Sequence, residues 1–292
     1  MQKPLISILI PLYNHEKYVI SCLNSIILDD YKNKEIVILD DCSTDNSFSI
    51  VSEWIKSNSI SCPIRLEKNK TNMGICSSLN KLVKFSKGEY IVPLASDDCL
   101  ISGTISSRLS YLEKNENKMA VFGDCYVIDE QNNVLYNSSL KELHAANISK
   151  FQRQTDLKHE IIWNWSIVGP SFLINRKAYD IVGFYDENLE IEDWDFYLRL
   201  ASKNLIGFID EMVGLYRIHP NNASRKKTCG EIDTEFELLK IAFKNIKNFR
   251  GEYKYLLIKK IIVYVYLIFR KLFVFKKNTA FKHSNFKTPF PK

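Results

Sequence analysis

Glu89-Tyr90-Ile91-Val92-Pro93-Leu94-Ala95-Ser96-Asp97-Asp98 sets an apolar run directly against two adjacent carboxylates. Tyr90 to Leu94 follows the turn residue Gly88 and contains β-favouring side chains, so it reads as a buried strand. Its C-terminal end delivers Asp97 and Asp98 to the rim of a sheet. In open α/β sheets ligands bind at that rim, in the crevice beyond the carboxyl ends of the strands. Two neighbouring carboxylates repel each other unless a cation or hydrogen-bond donors satisfy them. A hard divalent ion carrying a diphosphate meets that need, since such ions take a few carboxylates plus phosphate oxygens. A solvated turn with a helix cap is the plainer alternative.

The flanking sequence repeats this pattern. Leu5 to Ile10 is an apolar strand with Pro11-Leu12-Tyr13-Asn14 as its exit loop. From His15 to Leu28, the spacing of Val19, Cys22, Leu23, Ile26 and Ile27 predicts a helix. Glu35 to Leu39 is a second strand, ending in Asp40-Asp41-Cys42-Ser43-Thr44-Asp45, and Asp45 suits a helix N-cap. Ile64 to Leu66 is a short third strand, and Asn72-Met73-Gly74 turns into a helix through Leu79 and Leu82. This β-α-β-α alternation predicts an α/β fold, a mostly parallel sheet with helices on both faces. Beyond it, Ala120 to Asp124, Tyr126 to Ile128, Pro170 to Ile174, Ile206 to Ile209 and Val213 to Ile218 read as short strands. Ser102 to Leu112 and Asp193 to Ala201 read as helices. Periodicity is lost from Asn137 to Trp165, which predicts a long irregular connection. A helical tail begins near Glu231.

The chain has 292 residues, 46% hydrophobic and 25% charged, an ordinary globular composition. Its seven cysteines include no Cys-x-x-Cys pair, which argues for reduced thiols and against a disulfide framework or a zinc site. Leu5 to Ile10 is too short for a secretory signal, so a cytoplasmic protein is expected. The net charge is +6. Residues 250–292 carry eleven Lys/Arg and one acid, which is +10, leaving −4 for residues 1–249. The basic character therefore belongs to the tail, and a general nucleic-acid-binding surface is excluded.

Five stretches in order resemble family 2 glycosyltransferases of the GT-A fold. They are Ile6 to Asn14 with Cys22 to Ile26, Glu35 to Asp45, Asn72 to Gly74, Gly88 to Asp98, and Glu192-Asp193-Trp194. The resemblance spans residues 4–220 and departs at two places: Cys42 stands where the family usually has Gly, and Ala95 where many members have an acid. It implies a Rossmann-like GT-A domain, taken as residues 1–225; the sequence beyond it reads as a helical region over 226–277 and a disordered tail over 278–292. It also implies inverting transfer of a sugar from a nucleotide-sugar to an acceptor hydroxyl. By the same resemblance, Pro11, Tyr13 and Asn14 border the nucleobase, Asp41 reads a uracil, and Asp40 supports the loop or the ribose. Asn72, Gly74 and Asp97 complete the donor site, with Arg217 as a neutraliser of diphosphate oxygens. Asp98 and His219 hold Mn²⁺ or Mg²⁺. Asp193 is the general base, with Glu192 orienting it, and Trp194, Gly169 and Pro170 border the acceptor.

Two competing functions remain at this level. A sugar-phosphate nucleotidylyltransferase would need a Gly-rich, Lys/Arg-bearing loop after the first strand, which this chain lacks. A nucleotide-sugar binding module without catalysis accords with Ala95 but not with Asp98 and Asp193 together.

In the tail, the uncharged run Ile261 to Phe269 is about half the ~20 residues that span a bilayer. Lys259-Lys260 and Arg270-Lys271 are close to three turns apart, which predicts one shared basic face. Such a helix suits the plane of an anionic membrane, here the inner leaflet, or else packs on the catalytic domain or in a homodimer. The expected acceptor is then a lipid-linked saccharide of bacterial surface polysaccharide or lipopolysaccharide synthesis.

Overall fold

The computed structural model describes residues 3–222 and 232–283. The chain divides into two compact units, Met1–Asn222 and Ala223–Lys292. In the first, β1 (Ile6–Leu12), β2 (Lys34–Asp40), β3 (Ile64–Lys68) and β4 (Tyr90–Pro93) form a parallel half-sheet. Helices α1 (Val19–Leu28), α2 (Ser47–Ser57) and α3 (Ile75–Phe85) connect them. β5 (Cys99–Leu100), β6 (Ala120–Ile128), β7 (Val134–Tyr136), β8 (Phe172–Asn175) and β9 (Ile206–Arg217) complete it. Among the described residues this is a nine-stranded mixed sheet of order β3-β2-β1-β4-β8-β6-β9-β5, with β7 beside β6. The remaining helices of this unit are α4 (Thr104–Lys114), α5 (Gln154–Trp163), α6 (Lys177–Val182) and α7 (Glu192–Ser202).

β1 and β2 are apolar at nearly every position because both faces of the sheet are covered. Ile8, Ile10, Leu23, Ile36, Ile38 and Val92 are fully buried in one core cluster. Each such side chain contributes about 1.5–3 kcal/mol on leaving water. Register then places the chemistry: Leu12 pairs with Asp40 and Leu9 with Pro93, so the exit loops of β1, β2 and β4 reach one rim.

Three parts of the chain differ from the sequence reading. The two strands predicted on either side of Asp210-Glu211 are one strand, β9; its pairing with β6 shifts register around Asp124, which lets the exposed acids pass without ending the strand. Likewise β6 runs unbroken through Cys125. The connection from Asn137 to Trp165 is ordered as a π-helical turn (Ser139–Leu143), a 3₁₀ turn (Ile148–Gln152) and α5. Buried Asp124 organises its start, accepting from the Ser138 and Ser139 hydroxyls and from the Leu140 N–H. That anchor is a contact between distant residues and has no periodicity to announce it. Asp45 does not occupy the N-cap of α2, which is Asn46; it accepts instead from the Ser47 N–H at 2.9 Å and the Glu16 N–H at 3.1 Å.

The second unit contains α8 (Ile232–Asn245) and α9 (Gly251–His283). Leu257, Ile261, Tyr264 and Ile268 form a buried stripe along α9, at the spacing of one helical face. Tyr255, Ile262, Tyr266 and Phe269 form an exposed one. The basic pairs divide between these faces: Lys259 and Arg270 are exposed, Lys260 is half-buried, and Lys271 reaches Glu235 of α8 at 2.6 Å. α9 continues past residue 277, and residues 284–292 of the expected tail lie outside the described residues. Among the described residues no helix is long and apolar enough to cross a membrane.

The end of the sheet opposite the rim is closed by Glu35, whose Oε1 accepts from the Ser7 hydroxyl at 2.6 Å, the Lys87 N–H at 2.5 Å and the Gly88 N–H at 3.2 Å. A Cβ on Gly88 would lie 2.5 Å from Ser7 Oγ and 2.6 Å from Ser7 N. Gly88→Ala should therefore cost about 1–3 kcal/mol, the usual range for overpacking. Urea denaturation reads this as a lower midpoint. An unchanged midpoint would mean that β1 and the β4 entry can separate freely.

Candidate active site

The rim is built from exit loops clipped to each other. Asn14, in left-handed backbone at φ 56°, accepts from the Thr44 N–H at 2.8 Å, and its own N–H reaches Ser43 Oγ at 3.0 Å. Cys42 is also left-handed, at φ 65°. That conformation explains why a glycine is usual at this place, since only glycine adopts it without a Cβ penalty. Asp41 accepts from the Met73 N–H and the Gly74 N–H, both at 2.8 Å, and from Asn69 Nδ2 at 2.7 Å. Asn72 adds a bond to the Gly74 N–H at 3.0 Å. Asp41 thus orders the 72–74 turn with most of its accepting capacity. Asp40 accepts from the Ser43 N–H at 2.9 Å through Oδ1, while its buried Oδ2 has no partner. Pro11 and Tyr13 lie half-buried at this edge.

Asp97 and Asp98 part company. Asp97 Oδ2 meets His219 Nε2 at 3.0 Å and Asn222 Nδ2 at 3.2 Å, and Oδ1 faces His15 Nδ1 at 3.8 Å. Burial works against the Asp97 carboxylate, but the His219 bond and the charges of His15 and His219 hold its pKa below the usual value. Asp98 turns away: Oδ1 accepts from the Arg217 N–H at 2.8 Å. Burial and the neighbouring Asp97 push its pKa well up. The two adjacent acids are thus driven in opposite directions.

The ligand atoms of His15, Asp97 and His219 all lie within 4.8 Å of one another. Two imidazole nitrogens and a carboxylate oxygen are a fitting donor set for a divalent cation. The geometry therefore puts Asp97, not Asp98, with His219, because the Arg217 backbone engages Asp98. His15 was not among the sequence candidates; a histidine directly after a strand-exit loop was the available signal.

Arg217 is buried. Its Nε donates to the Asp97 carbonyl at 2.7 Å and its Nη1 to the Asp129 carbonyl at 2.8 Å, and the guanidinium covers the Tyr18 ring. It braces these loops, where the sequence reading had it neutralise diphosphate oxygens. Trp194 is likewise fully buried and donates to the Ile161 carbonyl at 2.9 Å, so it is core and not a wall against a sugar. The Trp165 ring lies tilted against it, with ring centroids 6.0 Å apart. The Trp165 Nε1 makes no hydrogen bond of normal geometry, yet it favours the charged form of Asp193.

Glu192 and Asp193 open α7. With Pro11, Ala95, Gly169 and Tyr185 they line one cavity of about 70 Å³. Gly169 is exposed next to Asp98, while Pro170 is buried in the turn before β8. Fully buried Arg108 secures that turn through the Ser171 and Phe172 carbonyls, at 3.1 and 3.0 Å. It is a positioning residue that a helical pattern alone conceals.

Burial and the Asp193 charge push the Glu192 pKa up to about 8. Burial raises Asp193 to about 6, against the Trp194 N–H at 2.6 Å. A raised folded-state pKa of an acid costs nothing where the group is protonated in both states. The cost grows as pH rises above the unfolded value and is complete above the folded one. Glu192→Gln should therefore match the wild-type Tm near pH 4 and exceed it increasingly up to pH 8. A Tm difference independent of pH would place Glu192 in contact with water.

Residues 7–183 match the family described as glycosyl transferase family 2. The chain is 25% identical to an uncharacterized glycosyltransferase of Methanocaldococcus jannaschii, over 94% of this chain and 93% of that one. Its fold is similar to that of S. aureus TarS 1–349 in complex with UDP-GlcNAc, with a TM-score of 0.65 at 20% identity, over 88% of this chain and 71% of that one. It is also similar to the mannosyltransferase PcManGT from Pyrobaculum calidifontis in complex with GDP-Man and Mn²⁺, with a TM-score of 0.63 at 17% identity, over 89% and 70%. At these identities the two structures speak to the fold alone. The family match covers more than half of the chain, and the strand-end acids and the α7 acids converge on a GT-A rim: this chain belongs to glycosyl transferase family 2 and is a glycosyltransferase.

Proposed function

We propose that the chain transfers a sugar from a UDP-sugar to a hydroxyl of a saccharide acceptor, with inversion at the anomeric carbon. The observation that carries this reading is the shared cavity. Pro11 and Ala95 from the donor-side loops line it together with Glu192 and Asp193. In an inverting transfer the acceptor oxygen attacks the anomeric carbon while the bond to the leaving diphosphate breaks. Asp193 takes the proton of the attacking hydroxyl; a pKa near 6 keeps it ionised at neutral pH, yet basic enough to accept. Glu192, with its higher pKa, stays largely protonated at neutral pH and donates a hydrogen bond to a sugar or acceptor oxygen. Asp97, His219 and His15 would hold a divalent cation, which would supply positive charge for a leaving diphosphate. The UDP preference rests on the resemblance at Asp41 and on the TarS complex with UDP-GlcNAc; the PcManGT complex with GDP-Man and Mn²⁺ supports a nucleotide-sugar and a metal more generally.

Asp193→Asn keeps the shape and removes the proton acceptor. Turnover should fall about 10²–10⁴-fold with nucleotide-sugar binding nearly unchanged. Calorimetric titration of the donor beside a product assay separates the two. Near-normal turnover of the folded variant would transfer the base role to Glu192.

The same reading gives a lipid-linked acceptor of bacterial surface-polysaccharide synthesis and a site of action at the inner leaflet of the membrane. It is supported by the exposed face of α9, where Tyr255, Ile262, Tyr266 and Phe269 run beside exposed Lys259 and Arg270. Aromatic and basic side chains on one helical face favour an anionic interface. Lys259→Gln with Arg270→Gln should weaken co-sedimentation with anionic liposomes and leave transfer to a short soluble acceptor intact. Loss of oligomer mass in that variant would instead assign this face to a homodimer.

A further inference from the structure

We propose that Trp165 is a positioning residue for Asp193: its indole N–H donates to the Asp193 carboxylate and fixes how that carboxylate faces the acceptor hydroxyl. The purpose of this bond rests on the reading of Asp193 as the base, whereas the bond itself follows from two tryptophans and the backbone between them.

Trp165 combines two costs that packing does not explain. It stands directly after Asn164, the C-cap of α5, in left-handed backbone at φ 41°. Glycine or asparagine is usual at such a place, because a Cβ is crowded in that conformation. A bulky aromatic there is an outlier of the kind that clusters at functional sites. The second cost is polar. The residue as a whole is half-buried, yet its Nε1 is buried and without a hydrogen-bond partner. A phenylalanine would fill the same space and orphan no donor. Ser166 follows, 2% exposed, and its hydroxyl is likewise buried without a partner. Two such groups in succession at a helix end are not arranged for stability alone.

The neighbouring indole supplies the contrast. Trp194 donates to the Ile161 carbonyl at 2.9 Å, which ties α7 to α5. Trp165 lies against that ring, and Asp193 is the residue before it. Asp193 Oδ1 accepts from the Trp194 N–H at 2.6 Å. One indole N–H therefore serves the fold, while the other is close enough to Asp193 to favour its charged form. A small rotation of either side chain completes the bond, and catalytic hydrogen bonds commonly tighten only once substrate is bound. Donors from two separate segments, the start of α7 and the end of α5, then fix the carboxylate in line with the proton it takes.

The test is nuclear magnetic resonance of the full chain with ¹⁵N-labelled tryptophan, in which the chain's 4 tryptophans give one indole signal each. Trp165→Phe identifies the Trp165 signal by its loss; if that variant does not fold, through-space contacts to the Trp194 ring identify it. Besides Asp193, the titratable side chains lining the same cavity are Glu192, Tyr185 and Tyr197. Burial holds both tyrosines well above their ordinary range, and Glu192 titrates at about 8. In the wild type the Trp165 indole proton should move downfield as pH rises through about 6, where Asp193 ionises. Asp193→Asn should abolish that step and Glu192→Gln should retain it. Trp165→Phe keeps an aromatic ring and removes the donor to the charged form. The Asp193 carboxyl, followed with ¹³C-labelled aspartate, should therefore titrate at higher pH in that variant than in the wild type. An indole signal that stays flat through this range would overturn the proposal, as would a step that survives Asp193→Asn. An intact step beside near-normal turnover of Asp193→Asn would uphold the bond and remove its catalytic purpose. A flat signal beside lost turnover of Asp193→Asn would do the reverse, keeping the base and excluding Trp165.

Discussion

Arg217 sits at the end of β9 with its guanidinium buried, and it ties together three segments that share no sequence proximity. Its N–H holds the Asp98 carboxyl, Nε holds the Asp97 carbonyl, and Nη1 holds the Asp129 carbonyl. Hydrogen bonds from a charged donor contribute about 1.5–3 kcal/mol each, and a buried guanidinium deprived of them would cost more than it returns. The planar fork of arginine suits this task and the point charge of lysine does not. With Arg217 in place, the β4 exit cannot relax away from β9. Asp97 is consequently held against His219, and the rim keeps its shape.

This constraint also sorts the charges. Adjacent carboxylates in a buried site cannot both ionise cheaply, so each pair divides its roles. At the β4 exit, two histidines hold the Asp97 pKa down, while burial and the neighbouring Asp97 push the Asp98 pKa well up against the opposing Arg217 N–H. At the start of α7, Asp193 has the Trp194 N–H and lies lower than Glu192. This separation serves the proposed transfer, in which one side of the site would face a diphosphate and the other would accept a proton.

The helical unit follows a different principle. α9 has a buried apolar stripe and an exposed one, and a helix apolar on two sides has more to cover than α8 alone provides. Lys271 is held by Glu235, and among the described residues Lys259 and Arg270 are exposed beside the outer stripe.

The sequence by itself determined the α/β alternation, the strand ends that carry the chemistry, and the acids at those ends. Period and turn residues are local, and each stretch declares its own state. Asp97 and Asp98 were legible as site candidates from their place at a strand end, whereas Asp40, Asp41, Glu192, Asp193 and His219 took their roles from the family resemblance. The tertiary structure decided what each one touches. It gave His15 a place beside Asp97, made Trp194 core, turned Arg217 from a diphosphate contact into a brace, and divided the basic pairs of α9 between two faces. It also merged two short strands into β9 and anchored the Asn137 to Trp165 connection on Asp124. These outcomes depend on contacts across tens to more than a hundred residues, such as Arg217 with Asp98 and His219 with Asp97, and a period of two or of 3.6 carries no information about them.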